Sequence, residues 1–215
     1  MGIKINPNID FGSFLKSVTS KDKIETQIQK VTDYLEKKYD EKFEVLRVGD
    51  REDKYNDDIK IICHPISNPN IVFFARGNSL EEYEDDYCVR SVLCQVEQTI
   101  IDEFKNKDYE ATAKVTNVVK DVIDKKVDVD EFIKINPSQL LLAYIVVNGQ
   151  IESNVVNEVI NNVRAKYQGL KLKAFVYRMN SINYENYCKF VNTNDSTSRT
   201  IIQKYLPSKL EVIEE

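Results

Sequence analysis

Hydrophobic and polar positions along this chain recur with two periods, one typical of helices and one typical of strands. Apolar residues from Ile24 to Leu35 recur at steps of four, three and four, which predicts an amphipathic helix over 21–39. The same helical spacing runs from Val89 to Phe104. Because Ser79-Leu80-Glu81-Glu82 has the form of a capping box, this second helix is predicted to begin at Ser79 and end near Asn106.

Three strand-like segments separate these two helices. They are Phe43–Val48, Ile59–His64 and Ile71–Ala75. A charged turn over 49–58 follows the first, and a loop rich in proline and asparagine follows the second. The first half is therefore predicted to be an α-β-β-β-α subdomain over 21–107, preceded by an N-terminal arm over 1–20.

The second half alternates strands with helices. The predicted strands are 109–119, 139–147 and 170–178, and the predicted helices are 128–135, 155–167, 184–191 and 199–206. The segment 139–147 is almost continuously apolar, which is typical of a central strand covered on both faces. We predict an α+β fold whose second half, 108–215, is β-α-β-α-β with a helical tail. This second half is predicted to contain a βαβ unit and to be ferredoxin-like. The two halves of the chain form either two subdomains or one continuous domain.

Composition narrows the classes of function. The chain is 42% hydrophobic and 30% charged, with a net charge of −5. An acidic surface of this kind repels nucleic acid, and no apolar stretch reaches the ~18 residues of a membrane span. The N-terminus, Met1 to Pro7, lacks a cationic-then-apolar leader. We expect a cytoplasmic protein without a nucleic-acid partner; a cell-surface chain whose leader has been removed is the alternative.

Candidate catalytic and metal-binding residues are sparse. His64 is the sole histidine, and the four cysteines form no Cys-x-x-Cys pair, which excludes a two-histidine site and the usual zinc signatures. Glycine-rich phosphate loops and nucleophile elbows do not occur. Cys63 and His64 are neighbours on a strand and should point to opposite faces. We therefore expect no metal site, no cofactor and no catalytic residue. The cysteines are expected to be free buried thiols, or, if the chain is exported, Cys63 and Cys88 form a disulfide.

Two acidic clusters are candidate binding surfaces. The cluster over 49–58 is interpreted as a charged hairpin turn, since it lacks the glycine and glutamate of a calcium loop. The cluster over 81–86 either offsets a helix dipole or binds a cation or a basic partner. Tyrosine is common at interfaces, so the candidate partner-binding residues are Glu81, Glu82, Tyr83, Asp85, Asp86 and Tyr87.

A resemblance to known proteins covers about residues 30–105. The helix and strand over 34–45, the strand ending in His64-Pro65, the turn at Asn68-Pro69 and the acidic stretch Tyr83 to Tyr87 follow in that order. This order resembles small proteins of unknown function from low-GC Gram-positive bacteria, some of which are surface lipoproteins. The resemblance implies no catalytic residues.

These observations favour a non-catalytic protein that binds another, basic protein. Its sharper form is an acidic immunity protein that neutralises a bacterial toxin, because such a protein needs a stable scaffold and negative charge but no active site. Two alternatives stay open. One is the extracytoplasmic domain of a Gram-positive surface lipoprotein, and the other is an enzyme that uses carboxylates alone.

Overall fold

The computed structural model describes residues 21–48, 59–117, 123, 125–193 and 210–213. The predicted N-terminal arm, the charged turn over 49–58 and the predicted helix over 199–206 lie outside these residues. The described part contains five helices and two four-stranded sheets, so the predicted α+β class is confirmed. The chain divides into two compact units, Met1–Arg90 and Ser91–Glu215, whereas the sequence suggested a division near residue 107.

Within the described residues, the first unit contains one complete helix, the start of a second and an antiparallel sheet. Its elements are α1 (Lys21–Tyr39), β1 (Phe43–Val48), β2 (Ile59–Pro65), β3 (Phe73–Gly77) and β4 (Tyr83–Asp85), with the strands in chain order across the sheet. The apolar face of α1, predicted from its spacing, is buried from Ile24 to Leu35. This helix contacts β1, β2 and β3. The helix over 21–39 and the three predicted strands are confirmed, but β4 was not predicted.

The helix predicted to begin at Ser79 begins instead at Tyr87, as α2 (Tyr87–Lys105). The backbone N–H groups of Leu80 and Glu82 donate to the Asn78 side-chain oxygen, both at 3.0 Å. The Asn78 side chain thus organises a turn where the capping box had suggested a helix start. The strand β4 then pairs with β3, from Gly77 opposite Tyr83 to Ala75 opposite Asp85, and the carboxylates of 81–86 do not lie in a first helical turn.

The second unit has a mixed sheet. Its elements are the part of α2 from Ser91 onwards, β5 (Ala111–Asn117), α3 (Val129–Ile135), β6 (Leu140–Asn148), α4 (Ser153–Lys166), β7 (Lys171–Met179), α5 (Ser181–Thr193) and β8 (Leu210–Ile213). The strand order is β5-β6-β7-β8, and only β6 and β7 run parallel. The predicted βαβ unit and the central position of β6 are confirmed. A ferredoxin-like layer splits its βαβ strands, whereas β6 and β7 pair directly here, and β8 was not predicted.

Side chains alternate between the two faces of this second sheet. The odd-numbered residues of β6 from Leu141 to Val147 are buried, as is the apolar stripe of α4 from Val156 to Val163. On the opposite face, α5 packs Tyr184 and Tyr187 against one end of β6 and β7. Helix α5 therefore covers one part of this face, and the rest carries half-buried and exposed side chains.

Candidate functional site

The six predicted partner-binding residues all lie in the first unit, but they are not equally accessible. Glu81 and Glu82 are exposed. The side chain of Asp85 is only 1% exposed, and Tyr87 is 2% exposed. The six residues therefore do not form one continuous acidic surface.

Asp85 is the centre of a hydrogen-bonded network. Its carboxylate accepts hydrogen bonds from Tyr34 Oη at 3.2 Å, Lys38 Nζ at 3.0 Å and Tyr39 Oη at 2.7 Å. It also accepts the backbone N–H of Tyr87 at 3.1 Å. A buried carboxylate is tolerated when a cation and several donors satisfy it, so this residue holds α1, β4 and the start of α2 together.

The ionisable partners in this network are held in the forms that donate hydrogen bonds. Burial, and then the hydrogen bond to Asp85, raises the pKa of Tyr39 above its usual range. Burial lowers the pKa of Lys38, but hydrogen bonds with Tyr34 and Asp85 outweigh it, so the pKa of Lys38 is raised overall. Burial and the hydrogen bond to Glu41, 2.6 Å away, likewise raise the pKa of Tyr87. Neutral phenols and a charged ammonium are suited to positioning a carboxylate rather than to activating a nucleophile.

Asp86 and Tyr83 are also occupied within the unit. The Asp86 carboxylate accepts the backbone N–H of Phe74 at 2.9 Å, and its carbonyl accepts the N–H of Arg90 at the start of α2. The ring of Tyr83 stacks on Tyr34 with centroids 4.7 Å apart. It lies so close to Gly77 that a Cβ at that position would be 2.5 Å from the ring. These contacts fix the edge of the first sheet.

The part of the cluster that faces solvent is the segment Asn78–Glu82, here called the β3–β4 turn. The side-chain oxygen of Asn78 accepts the two hydrogen bonds described above. Asn78 also donates its backbone N–H to the Glu82 carbonyl at 3.2 Å and its side-chain amide to the Glu82 carboxylate at 2.6 Å. Glu81 has a φ of 63°, a conformation that a non-glycine residue keeps only when its surroundings enforce it. Leu80 is 78% exposed at the tip of this turn.

The two acids of the β3–β4 turn have weak or local partners. Lys30 Nζ lies 3.5 Å from Glu81, and both side chains are about half exposed or more, so the pair contributes little to stability. The Glu82 carboxylate is bonded within the turn itself. The neighbouring Glu84 forms an ion pair with Arg76. Within the 81–86 cluster, the negative charge that a partner could reach is therefore concentrated at Glu81 and Glu82.

Cys63 and His64 do not form a thiol–imidazole pair. Cys63 is opposite Val45 and Phe73 in the sheet, whereas its neighbour His64 is opposite Glu44, so the two side chains project to opposite faces as predicted. The Nδ1 atom of His64 lies 3.0 Å from the Pro65 carbonyl oxygen. None of the four cysteines forms a disulfide, and Cys63 and Cys88 are buried, so the alternative disulfide is not formed.

The partners of Asp85 on α1 were not anticipated from the sequence. Tyr34, Lys38 and Tyr39 flank the apolar face of α1, where such residues are typical of a solvated helix surface. One signal was available: Tyr34 and Lys38 are four residues apart and so lie side by side on the helix. The carboxylate that joins them comes from β4, which the sequence did not reveal.

Comparison with known proteins shows the fold. No protein-family model and no curated protein matches this chain. The crystal structure of a DUF5037 family protein from Ruminococcus gnavus is similar to it, with a TM-score of 0.65 and 15% sequence identity. The similarity covers 84% of this chain and 86% of that one. Within the described residues, no helix combines the length and the apolar character needed to cross a bilayer.

Proposed function

We propose that this protein binds another protein without catalysing a reaction, and that the partner contacts the β3–β4 turn. The observation that carries this proposal is the turn itself: it presents Leu80, 78% exposed, beside Glu81 and Glu82 on a backbone held by Asn78. A rigid loop loses little conformational entropy on binding. A single exposed leucine is ordinary on a protein surface, but one fixed at the tip of a hydrogen-bonded turn is suited to entering a pocket.

The chemistry of the turn defines its partner. An aliphatic side chain beside two carboxylates fits an apolar pocket with lysine or arginine at its rim. The net charge of −5 would steer such a basic partner towards the chain and increase the association rate at low salt. The finer form of the proposal is an immunity protein in the cytoplasm whose partner is a basic bacterial toxin.

The chemistry of the Asp85 network supports binding rather than catalysis. The Asp85 carboxylate accepts four hydrogen bonds from within the unit, and burial keeps the Tyr39 and Tyr87 phenols protonated by raising the pKa of each. A general base needs a carboxylate within reach of a substrate proton. A fully bonded, 1% exposed carboxylate is better suited to holding the edge from which the turn projects.

Charge reversal at the turn tests this proposal. The tagged chain, the double variant Glu81→Lys/Glu82→Lys and a matched control, Glu152→Lys/Glu185→Lys, would be used to capture partners from cells of the source organism. The control changes two exposed carboxylates and the net charge equally. We expect the wild type and the control to capture the same basic protein, and the turn variant to lose it.

The kinetics of that complex then test the mechanism. Raising the salt from about 50 to about 500 mM shortens the Debye length severalfold, so the association rate of the wild type should fall by roughly tenfold or more. The dissociation rate should change less. Capture that is equal for the turn variant and the control, or a partner that is acidic, would contradict the proposal.

A further inference from the structure

The second unit has a sheet face with a composition unlike that of the chain as a whole. Side chains at every second position of β5, β6 and β7 share this face. On these described strands it holds three lysines and no aspartate or glutamate, although the chain has 35 acidic residues and 30 basic ones. The part that α5 leaves partly exposed, here called the lysine-rimmed face, consists of Lys114, Leu142, Tyr144, Lys171, Lys173 and Phe175.

An apolar strip runs along the middle of this face. Tyr144 of β6 is directly paired with Phe175 of β7, and their rings stack with centroids 5.2 Å apart and planes 12° apart. Leu142 continues the strip along β6 and is half-buried, and Leu140 is 37% exposed at its end. The partly exposed apolar surface is therefore contiguous over two neighbouring strands.

Lysines border the strip on both sides. Lys114 of β5 is paired with Tyr144 in the sheet and has its Nζ 3.6 Å from Glu97. On the other side, Lys173 of β7 has its Nζ 5.5 Å from the centre of the Phe175 ring. Lys171 lies on the same face two residues earlier and is exposed. An apolar strip with one ion-paired lysine on one side and two lysines on the other has a definite charge pattern that a partner must match.

We infer that the lysine-rimmed face docks an acidic amphipathic helix of another protein. A helix with an apolar stripe and carboxylates on both flanks would place the stripe on Leu142, Tyr144 and Phe175 and its carboxylates beside the lysines. Parallel strand pairs are normally covered by helices on both faces. On this face α5 covers the end of β6 and β7 at Val146, Tyr177 and Met179, and the half-buried Tyr144 and Phe175 pack against that cluster. A second helix would therefore lie next to α5 and extend an arrangement already present.

A nucleic-acid strand is the other occupant that lysines and aromatic rings suggest, but the ring geometry disfavours it. Bases stack on the faces of aromatic rings. Here one face of Tyr144 is against Phe175, and Phe175 also has the Lys173 ammonium over it. The stack and the ammonium thus occupy both faces of Phe175 and one face of Tyr144, which leaves little ring surface on which successive bases could stack.

This face is separate from the β3–β4 turn and has the opposite charge. A partner of the turn should be basic, whereas a partner of the lysine-rimmed face should be acidic. The inference does not rest on the proposed function, and either can fail without the other.

A model peptide tests the inference. The probe is a fluorescein-labelled synthetic helix of about five turns, with leucine at the i, i+3, i+4 and i+7 positions and glutamate on both flanks. A second peptide has lysine in place of each glutamate, and an oligothymidylate of about 15 nucleotides represents single-stranded nucleic acid. Fluorescence anisotropy would measure the binding of each probe to the full chain.

The variants separate the effect of charge on this face from a change of net charge elsewhere and from loss of folding. Lys171→Glu/Lys173→Glu reverses two charges of the face, and Lys171→Gln/Lys173→Gln only removes them. Lys37→Glu/Lys134→Glu reverses two exposed lysines elsewhere. Circular dichroism would confirm that each variant is folded, and the glutamine pair keeps the test valid if the glutamate pair does not fold.

We expect the glutamate peptide to bind the wild type and the Lys37/Lys134 control equally. Binding should weaken by at least about tenfold, or 1.4 kcal/mol, in the glutamate pair, and measurably in the glutamine pair. The lysine peptide should not bind. Failure of the glutamate peptide to bind below about 1 mM, equal loss in the control, or binding of the oligonucleotide in preference to the peptide would overturn the inference.

Discussion

At the scale of single residues, burial decides which acids of the 81–86 cluster are available to a partner. The sequence grouped Glu81, Glu82, Asp85 and Asp86 because they are adjacent and alike in charge. The fold separates them: Glu81 and Glu82 are exposed, whereas Asp85 and Asp86 bond to α1 and β3. A sequence reports the charge of a side chain but not the donors that fold around it, so this division could not be predicted.

Replacing Asp85 should affect stability rather than binding. We expect Asp85→Asn to lower the free energy of unfolding by roughly 3 kcal/mol, since it leaves the half-buried Lys38 ammonium without its counterion. The Lys38 side chain is still 23% exposed. The expected loss of stability is therefore at the lower end of the range for breaking a buried ion pair. Urea denaturation at neutral pH would measure it. The exposed control Glu82→Gln should change stability by less than about 0.5 kcal/mol, and equal effects of the two substitutions would refute the assignment.

The tyrosines around Asp85 make stability sensitive to alkaline pH. Burial raises the pKa of Tyr39, so the folded state keeps this proton at a pH where the unfolded chain, with a pKa of about 10, has lost it. The unfolded state then binds fewer protons, and the free energy of unfolding falls as the pH rises above about 10. We expect Tyr39→Phe to be less stable than the wild type at pH 7 but to show a shallower fall between about pH 9.5 and 11. Parallel pH profiles for the two proteins would contradict this.

At the scale of elements, the periodicity of apolar residues predicted the helices and strands that are long enough to show a repeating pattern. The helical stripes of α1 and α4 and the apolar run of β6 are buried where their spacing indicated. The strands β4 and β8 have three and four residues, too few for an alternating pattern to stand out. The helix start predicted from the capping box at Ser79 was wrong for a different reason. Residues that cap helices also form turns, and here the pairing of β4 with β3 favours the turn over the helix.

The end of α2 offers a test of backbone strain. Asp108 follows the helix with a φ of 63° and donates its N–H to the Lys105 carbonyl at 3.0 Å. This left-handed conformation costs a side chain roughly 1–2 kcal/mol, and glycine adopts it without that cost. Allowing for the greater entropy of glycine in the unfolded chain, Asp108→Gly should raise the free energy of unfolding by up to about 1 kcal/mol. Asp108→Ala should give no such gain; a glycine variant no more stable than the alanine variant would argue against strain at this position.

At the scale of the whole molecule, the fold does not identify the function. The similarity to the DUF5037 family protein, at 15% identity, extends to the fold alone, so any function must be argued from surfaces. Net charge is a poor guide to these surfaces. A chain with a charge of −5 has an acidic turn in one unit, and in the other a sheet face whose described positions on β5, β6 and β7 include lysines but no aspartate or glutamate. The predicted cellular location and the relation to surface lipoproteins stay predictions.

Site-specific crosslinking tests the central claim, that a partner binds at the β3–β4 turn, most directly. A photoreactive residue would replace Leu80, and in a matched protein it would replace Ile66, which is 52% exposed in the loop between β2 and β3. After irradiation with native cell extract, we expect one adduct with a basic protein at position 80. This adduct should be lost when Glu81→Lys/Glu82→Lys is added, and it should be absent at position 66. No adduct at position 80, or the same adducts at both positions, would contradict it.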